Sequence, residues 1–370
     1  MNIIMKRLMS IFAVAFVCLS VVSCGGKTNE ITVRETEVPK TPEVKSETLM
    51  DSMSVEEKVG QILFVRCPEA ENVQKLMDKK PGGILMFQRD FDSLTKEQVI
   101  EKIEGFQSSV RIPLIIGVDE EGGTVVRVSA NPNLVSEKYK SPQQIYKEGG
   151  MNAVVDNAHE KSELLLSLGI NMNLAPVADV STNPDTYIYK RSFGQDYEKT
   201  AEFISKTVTA MRETGISSVL KHFPGYGEVT GDSHKGSVYN EKSADEIRET
   251  DFIPFKAGID AGASCVLVSH NIVNSLDSDN PASLSEPIHK ILRNELDFDG
   301  VIMTDDIAMG AVADVENVYV KAVNAGNDLL ITTDYETAYN QILSAVKSGE
   351  ISNETLDNAV YHVLKLKNLV

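Results

Sequence analysis

The stretch SSVLKHFPGYGEVTGDSH, residues 217–234, constrains the fold more than any other part of the sequence. It begins with the short apolar run 217–220, which has the length and composition of a buried strand, and continues through Lys221 and His222 into a loop rich in glycine. In a (β/α)8 barrel the functional side chains stand at the carboxyl ends of the strands and on the loops that follow. The stretch therefore predicts a barrel strand whose end faces a functional site.

The same stretch ends with Asp232 two residues before His234. In an extended or turning loop, side chains two residues apart can point the same way, so the carboxylate can hold the imidazole ring and favour its protonated form. A histidine held in this way is suited to donate a proton near neutral pH. The alternative interpretation is an Asp-Ser turn with a histidine on the surface.

A second stretch, FDGVIMTDD at residues 298–306, has the pattern of a turn, a buried strand and two carboxylates at the end of that strand. A core strand has no packing reason to end in two acids, because burying an unpaired carboxylate is costly. Asp305, the first acid after the strand, is therefore predicted to point into a site. For Asp306 the alternative is the N-cap of a helix.

Eight short apolar runs have the character of strands, and helical segments separate most of them. The predicted strands are 62–65, 83–87, 114–118, 171–174, 218–221, 265–269, 300–304 and 328–331, and the predicted helices include 96–110, 152–168, 198–214, 244–261 and 353–369. An open doubly wound sheet would require a glycine fingerprint after the first strand, and none is present. We predict an α/β fold with a single TIM-type (β/α)8 barrel over residues 49–370. Polar residues follow five of the strands, namely Asp119, Asp179, Lys221 with His222, His270 and Asp305.

Together these motifs resemble glycoside hydrolase family 3, and within it the β-N-acetylglucosaminidase branch. The resemblance runs from about Met53 to the C-terminus. It rests on SVEEKVGQ at 54–61, DEEGG at 119–123 followed by Arg127, NLAPVAD at 173–179, RSFG at 191–194, and the KHFPG, DSH and TDD elements, all in the family's order. So many matches in one order are specific, although each alone would be weak.

The resemblance implies a retaining, exo-acting enzyme that hydrolyses terminal β-linked N-acetylglucosamine from peptidoglycan fragments or related glycans, with no cofactor and no metal. It implies that Asp305 is the nucleophile and that Asp232 and His234 form the acid/base dyad. The sugar-binding residues that it implies are Asp119, Arg127, Arg191, Lys221 and His222. For Lys221 and His222 the alternative is pairing with buried carboxylates in the core.

The sequence departs from the family pattern at three positions. Tyr226 stands where histidine is usual, Glu228 where aspartate is commoner, and Thr124 where many relatives carry arginine. These departures bear on loop conformation and subsite preference more than on the predicted catalytic residues. The alternatives are a β-glucosidase-type or phosphorolytic member of the family, or a lipoprotein that binds sugars without cleaving them. The sequence makes no prediction of the oligomeric state.

The N-terminus precedes the predicted domain. Lys6 and Arg7 are followed by the apolar run 8–22, which is short for a membrane span, and then by VVSCGG at 21–26. This pattern resembles a bacterial lipoprotein signal, residues 1–23, that leaves Cys24 to be lipidated. An ordinary secretory peptide is the alternative. Residues 24–48 are polar and are predicted to be a flexible tether, so we expect an extracytoplasmic protein anchored to a bacterial membrane by lipid.

Composition limits the remaining functions. The net charge is −18, and no run rich in lysine or arginine occurs, which argues against nucleic acid as a partner. Cys67 and Cys265 lie in or beside apolar strand-like runs, where a small buried thiol is expected. The spacing of the cysteines does not indicate a metal site.

Overall fold

The computed structural model of the protein describes residues 49–227, 229, 231 and 236–370, which belong to one compact unit. The strands are β1 (Leu63–Arg66), β2 (Gly83–Met86), β3 (Ile115–Val118), β4 (Met172–Asn173), β5 (Ser217–Phe223), β6 (Tyr239–Asn240), β7 (Cys265–Val268), β8 (Ile272–Val273), β9 (Val301–Thr304) and β10 (Leu330–Thr332). The helices are α1 (Val55–Gln61), α2 (Val73–Met77), α3 (Lys96–Ser108), α4 (Pro142–Ser167), α5 (Tyr197–Thr214), α6 (Ala244–Glu249), α7 (Phe252–Asp260), α8 (Glu286–Lys290), α9 (Val318–Ala325), α10 (Tyr335–Ser348) and α11 (Asn353–Leu366).

Eight parallel strands form a barrel in the order β10-β1-β2-β3-β4-β5-β7-β9. The last seam, between β9 and β10, is held by a parallel bridge between Met303 and Leu329, and the Thr304 N–H donates to the Leu329 carbonyl at 3.1 Å. The predicted TIM-type barrel is confirmed, and each predicted strand agrees with the observed one to within two residues at each end. The short strands β6 and β8 pair with each other outside the barrel.

The strands are apolar throughout because both of their faces are buried. Alternate side chains such as Ile115 and Met303 point into the barrel, where they pack with Phe64 and other residues of the interior. The intervening side chains, such as Ile116 and Ile302, pack against the surrounding helices. A barrel filled in this way has no channel, so a ligand site has to lie at an end of the strands.

Two of the predicted helices differ from the structure. The predicted helix 244–261 is two helices, α6 and α7, and Thr250 between them has the non-helical dihedrals φ −131° and ψ −75°. Pro254 explains the break, since proline has no N–H to donate and its ring clashes with the carbonyl four residues earlier. The predicted helix 152–168 is the second part of α4, which is interrupted at Gly150, where φ is +68°.

Cys67 and Cys265 are buried free thiols, as predicted. Burial raises the pKa of the Cys67 thiol to about 12, which leaves it protonated and unreactive near neutral pH. None of the helices in the described part of the chain is long and apolar enough to cross a membrane.

Candidate active site

A cavity of about 600 Å³ opens at the carboxyl ends of the barrel strands. Six of the predicted site residues line it, namely Asp119, Arg127, Arg191, Lys221, His222 and Asp305. They come from three strand ends and two loops, and the cavity brings together residues that are as far as 186 positions apart in the chain. Asp232 and His234 of the predicted dyad, and Cys24, lie outside the described residues.

The loop after β3 is shaped by Glu120, which is completely buried. Its Oε2 accepts hydrogen bonds from the backbone N–H groups of Arg127 and Val128, both at 2.7 Å, and its Oε1 accepts one from the Ser129 hydroxyl at 2.5 Å. A carboxylate that accepts several such bonds fixes the backbone around it. Glu120 therefore holds Arg127 in position beside Asp119, where an Arg127 Nη2 to Asp119 Oδ2 distance of 3.9 Å joins the two side chains.

Glu121 joins two of the cations that line the cavity. The Lys221 ammonium lies 2.6 Å from Glu121 Oε1 and 2.6 Å from Asp119 Oδ1. The Arg191 guanidinium donates to both oxygens of Glu121, at 3.0 and 2.7 Å. Burial alone would raise the pKa of Glu121, but the charges of Arg191 and Lys221 outweigh it and hold that pKa well below its usual range. The result is a row of alternating charges, Asp119, Lys221, Glu121 and Arg191, of which all but Glu121 line the cavity.

The alternative for Lys221, pairing with buried carboxylates, is observed in part. Its side chain is 2% exposed and is paired with two carboxylates. It nevertheless lines the cavity, so pairing and ligand contact are compatible at this position.

The His222 ring is held between Asp179 and Arg191. His222 Nδ1 lies 2.6 Å from Asp179 Oδ2, and His222 Nε2 lies 3.2 Å from Arg191 Nη2. Because arginine can only donate, Nε2 accepts, and the proton of the neutral ring is on Nδ1 and is donated to Asp179. The other oxygen of Asp179 accepts from the Tyr226 N–H at 2.6 Å, so one buried carboxylate positions both the histidine and the start of the following loop.

The two acids after β9 have different environments. The Asp305 N–H donates to the Val268 carbonyl at 3.0 Å, and Asp305 Oδ1 accepts from the Asp306 N–H at 2.8 Å. Asp306 Oδ1 accepts from the Ala308 N–H at 3.0 Å, and Asp306 Oδ2 lies 3.4 Å from Arg66 Nη1. Burial raises the pKa of Asp306. The alternative that Asp306 is the N-cap of a helix is wrong, because the next helix, α9, begins only at Val318. The Asp306 carboxylate instead accepts a hydrogen bond within a turn.

His270, which follows β7, supports this segment. Its Nε2 lies 3.0 Å from the Asp306 carbonyl and its Nδ1 lies 2.7 Å from the Ser283 hydroxyl. Since a carbonyl only accepts, Nε2 is the donor, and the ring fixes the peptide that follows Asp306.

Sequence reasoning missed several residues that line the cavity or pair with those that do. Glu121 belongs to the DEEGG motif, and an acid so close to Asp119 and before a glycine pair is a signal that a counterion is required. Arg66, Tyr187 and Lys190 also line the cavity, and no pattern in the sequence distinguishes them from surface residues. Within the described ranges, no group of three or more histidine, cysteine or acidic side chains is arranged to hold a metal ion.

Comparisons with known proteins agree with this geometry. The model of the glycosyl hydrolase family 3 N-terminal domain matches residues 54–366. Beta-hexosaminidase LpqI of Mycobacterium tuberculosis is 29% identical over 328 residues, which cover 85% of this chain and 83% of that protein. A beta-hexosaminidase of Haemophilus influenzae is 30% identical over 287 residues, covering 76% of this chain and 81% of that protein.

Among solved structures, a glycoside hydrolase family 3 β-N-acetylglucosaminidase from Paenibacillus superposes with a TM-score of 0.81 at 30% identity. The match covers 86% of this chain but 63% of that longer one. The family model spans most of the chain, and the barrel and its cavity fit it: the chain belongs to glycosyl hydrolase family 3 and is a glycosidase.

Proposed function

We propose that the protein is a retaining exo-β-N-acetylglucosaminidase that removes terminal β-linked N-acetylglucosamine. The observation that carries the proposal is the presence of the Asp305 carboxylate in the same cavity as Asp119, Lys221 and Arg191, two of which, Lys221 and Arg191, Glu121 links by ion pairs. These residues offer charged hydrogen-bonding groups to the many hydroxyls of one sugar. The preference for an N-acetylhexosamine is inferred from relatives that are named beta-hexosaminidases.

In the proposed first step, an Asp305 oxygen forms a bond to the anomeric carbon as the glycosidic C–O bond breaks. His234, held by Asp232, gives its proton to the departing oxygen, so the aglycone leaves as a neutral alcohol. In the second step His234 takes a proton from water, the water oxygen bonds to the anomeric carbon, and the ester to Asp305 breaks. Two displacements at one carbon return the original β configuration.

The assignment of the nucleophile to Asp305 over Asp306 rests on the contacts of Asp306. Both oxygens of Asp306 are engaged, one by the Ala308 N–H and the other by Arg66, and burial raises its pKa. These contacts give Asp306 a structural part in the turn that follows β9, which favours Asp305 as the nucleophile. The His270 bond to the Asp306 carbonyl supports the same backbone segment and so keeps Asp305 in place.

We further propose that Cys24 carries the lipid anchor and that the substrate is a soluble fragment of peptidoglycan or a related glycan. The net charge of −18 would repel intact anionic wall polymers, which favours fragments that diffuse to the enzyme. The tether of residues 24–48 would give the barrel reach above the membrane.

The deciding experiment compares Asp305→Asn with the matched variant Asp306→Asn, on an aryl β-N-acetylglucosaminide and an aryl β-glucoside. We expect Asp305→Asn to abolish turnover with an unchanged melting temperature, and Asp306→Asn to keep measurable turnover. A 2-fluoro glycoside inactivator should label Asp305, and labelling of Asp306 instead would refute the assignment. Running each assay with and without phosphate identifies the acceptor, because phosphorolysis would release the sugar 1-phosphate.

A further inference from the structure

We infer that Tyr187 and Lys190 form a binding site for the sugar ring on the leaving side of the cleaved bond. The inference rests on the proposed function and assigns to these residues the selection of an oligosaccharide over a glycoside with a small leaving group. Neither residue belongs to the charged row, and both line the cavity.

Tyr187 is unusual for an aromatic residue in this structure. Its side chain is 39% exposed, and of the exposed large apolar side chains in the described ranges it is the one that lines the cavity. An aromatic ring left half exposed inside a ligand cavity costs solvation energy unless a ligand covers it. The C–H face of a pyranose ring is the part of a sugar that matches such a surface.

The position of Tyr187 is fixed from behind by Tyr226. The two ring centroids are 5.6 Å apart with an interplanar angle of 42°, and Tyr226 is 3% exposed. The hydroxyl of Tyr226 donates to the Gly231 carbonyl at 2.9 Å, and its ring lies edge-on to the His222 ring at 6.0 Å. The rings of His222, Tyr226 and Tyr187 thus form a continuous series that starts at a predicted sugar-binding residue and ends at an exposed face.

The chain that follows Tyr187 is also anchored. The next residue, Ile188, is fully buried against Val177 and Tyr226. Further along, Gln143 Nε2 donates to the carbonyls of Tyr189 and Ser192, at 2.5 and 3.1 Å. A ring held in this way loses little conformational entropy when a ligand stacks on it, which favours binding.

Lys190 supplies the polar part of the site. Within the described ranges its amino group makes no hydrogen bond or ion pair, although it lines a cavity that also holds the carboxylates of Asp119 and Asp305. A flat apolar face with a nearby donor of three hydrogen bonds fits a sugar ring, which presents C–H bonds on its face and hydroxyl oxygens at its edge.

The test compares two substrates that share the same cleaved sugar. One is N-acetylglucosaminyl fluoride, whose leaving group has no ring, and the other is N,N′-diacetylchitobiose. The quantity measured is the ratio of kcat/KM for the disaccharide to kcat/KM for the fluoride. We expect Tyr187→Ala to lower this ratio about tenfold and Lys190→Met to lower it about threefold.

Two further variants serve as controls. Tyr187→Phe keeps the ring and should keep the ratio, and Tyr361→Ala changes a similarly exposed tyrosine, 44% exposed on α11, that does not line the cavity. If the ratio for Tyr187→Ala stays within about twofold of the wild-type value, the inference is wrong, whatever happens to the separate rates. If the wild-type protein hydrolyses neither substrate, the proposed function itself fails, and the two failures are thereby distinguished.

Discussion

Glu121 is the residue whose replacement tests the site most directly. Its carboxylate bonds to Arg191 at 2.7 and 3.0 Å and to Lys221 at 2.6 Å, and its side chain is 3% exposed. Glu121→Gln keeps the shape of the side chain, removes the negative charge and leaves an excess positive charge in a buried cluster. Asp119 still pairs with Lys221, and His222 still accepts a hydrogen bond from Arg191, so the cations retain one partner each.

Removing one partner of a buried ion pair lowers the free energy of unfolding by about 3–5 kcal/mol. Because Lys221 and Arg191 each keep another partner, we expect Glu121→Gln to lower it by about 3 kcal/mol, at the low end of that range. For a domain of this size that loss lowers the melting temperature by roughly 4 °C. Arg191 would also lose its bidentate orientation, and a hydrogen bond to a charged group is worth about 1.5–3 kcal/mol, so we expect kcat/KM to fall about 10-fold to 100-fold.

The loss of stability in Glu121→Gln should depend on pH in a defined direction. Because the pKa of Glu121 is lowered in the folded protein, its stabilising effect is fully present above the unfolded pKa of about 4.3 and disappears as the pH falls through the lower folded value. The difference in melting temperature between the wild type and Glu121→Gln should thus be constant above about pH 5 and should shrink on further acidification.

Melting by calorimetry between pH 3 and pH 7, on the order of five points, is sufficient to measure this dependence, together with kcat/KM on an aryl glycoside. The matched control is Glu148→Gln, which removes an exposed carboxylate paired with Lys140 and should leave both quantities unchanged. A Glu121→Gln protein that melts and turns over like the wild type would show that the carboxylate does not organise the cations.

Three further predictions concern other parts of the molecule. His234→Ala should slow hydrolysis of a glycoside with a poor leaving group far more than that of a dinitrophenyl glycoside, since only the former needs the proton, and equal losses would rule out His234 as the acid. Gly60→Ala should destabilise the barrel by roughly 1–3 kcal/mol in thermal melts, because a Cβ there would lie 2.0 Å from the Lys79 carbonyl oxygen. The control is Gly105→Ala in α3, where the space around the glycine is open, and this variant should stabilise the protein by about 0.5–1 kcal/mol. Cys24→Ser should move the protein from the membrane fraction to the soluble fraction or block its processing, and an unchanged membrane fraction would argue against a lipid anchor.

The strands were predictable because their signal is local. A run such as 114–118 is apolar at every position, since one set of side chains fills the barrel and the other faces the helices, and turn residues bound it on both sides. The acids and basic residues that follow such runs interrupt this pattern, and for that reason Asp119, Lys221 and Asp305 could be assigned to one end of the barrel before the structure was known.

Features that depend on contacts between distant residues were not predictable. Glu121 lies 70 positions from Arg191 and 100 from Lys221, and only the closed barrel brings the three together. Tyr187 lies in an irregular loop, where no periodicity separates a residue that faces the cavity from one that faces solvent. The break near Thr250 could have been predicted, because Pro254 is a local signal for the end of a helix. The surrounding apolar positions nevertheless favoured one continuous helix.

The alternating row of Asp119, Lys221, Glu121 and Arg191 has a consequence for how this family of sites can change over evolutionary time. Each member shares a partner with its neighbours, so the effects of substitutions at these four positions should not add, and a second change can partly restore what a first one damaged. A lineage can exchange one member only if a compensating exchange follows nearby. The four charged residues are thus expected to be inherited as a block.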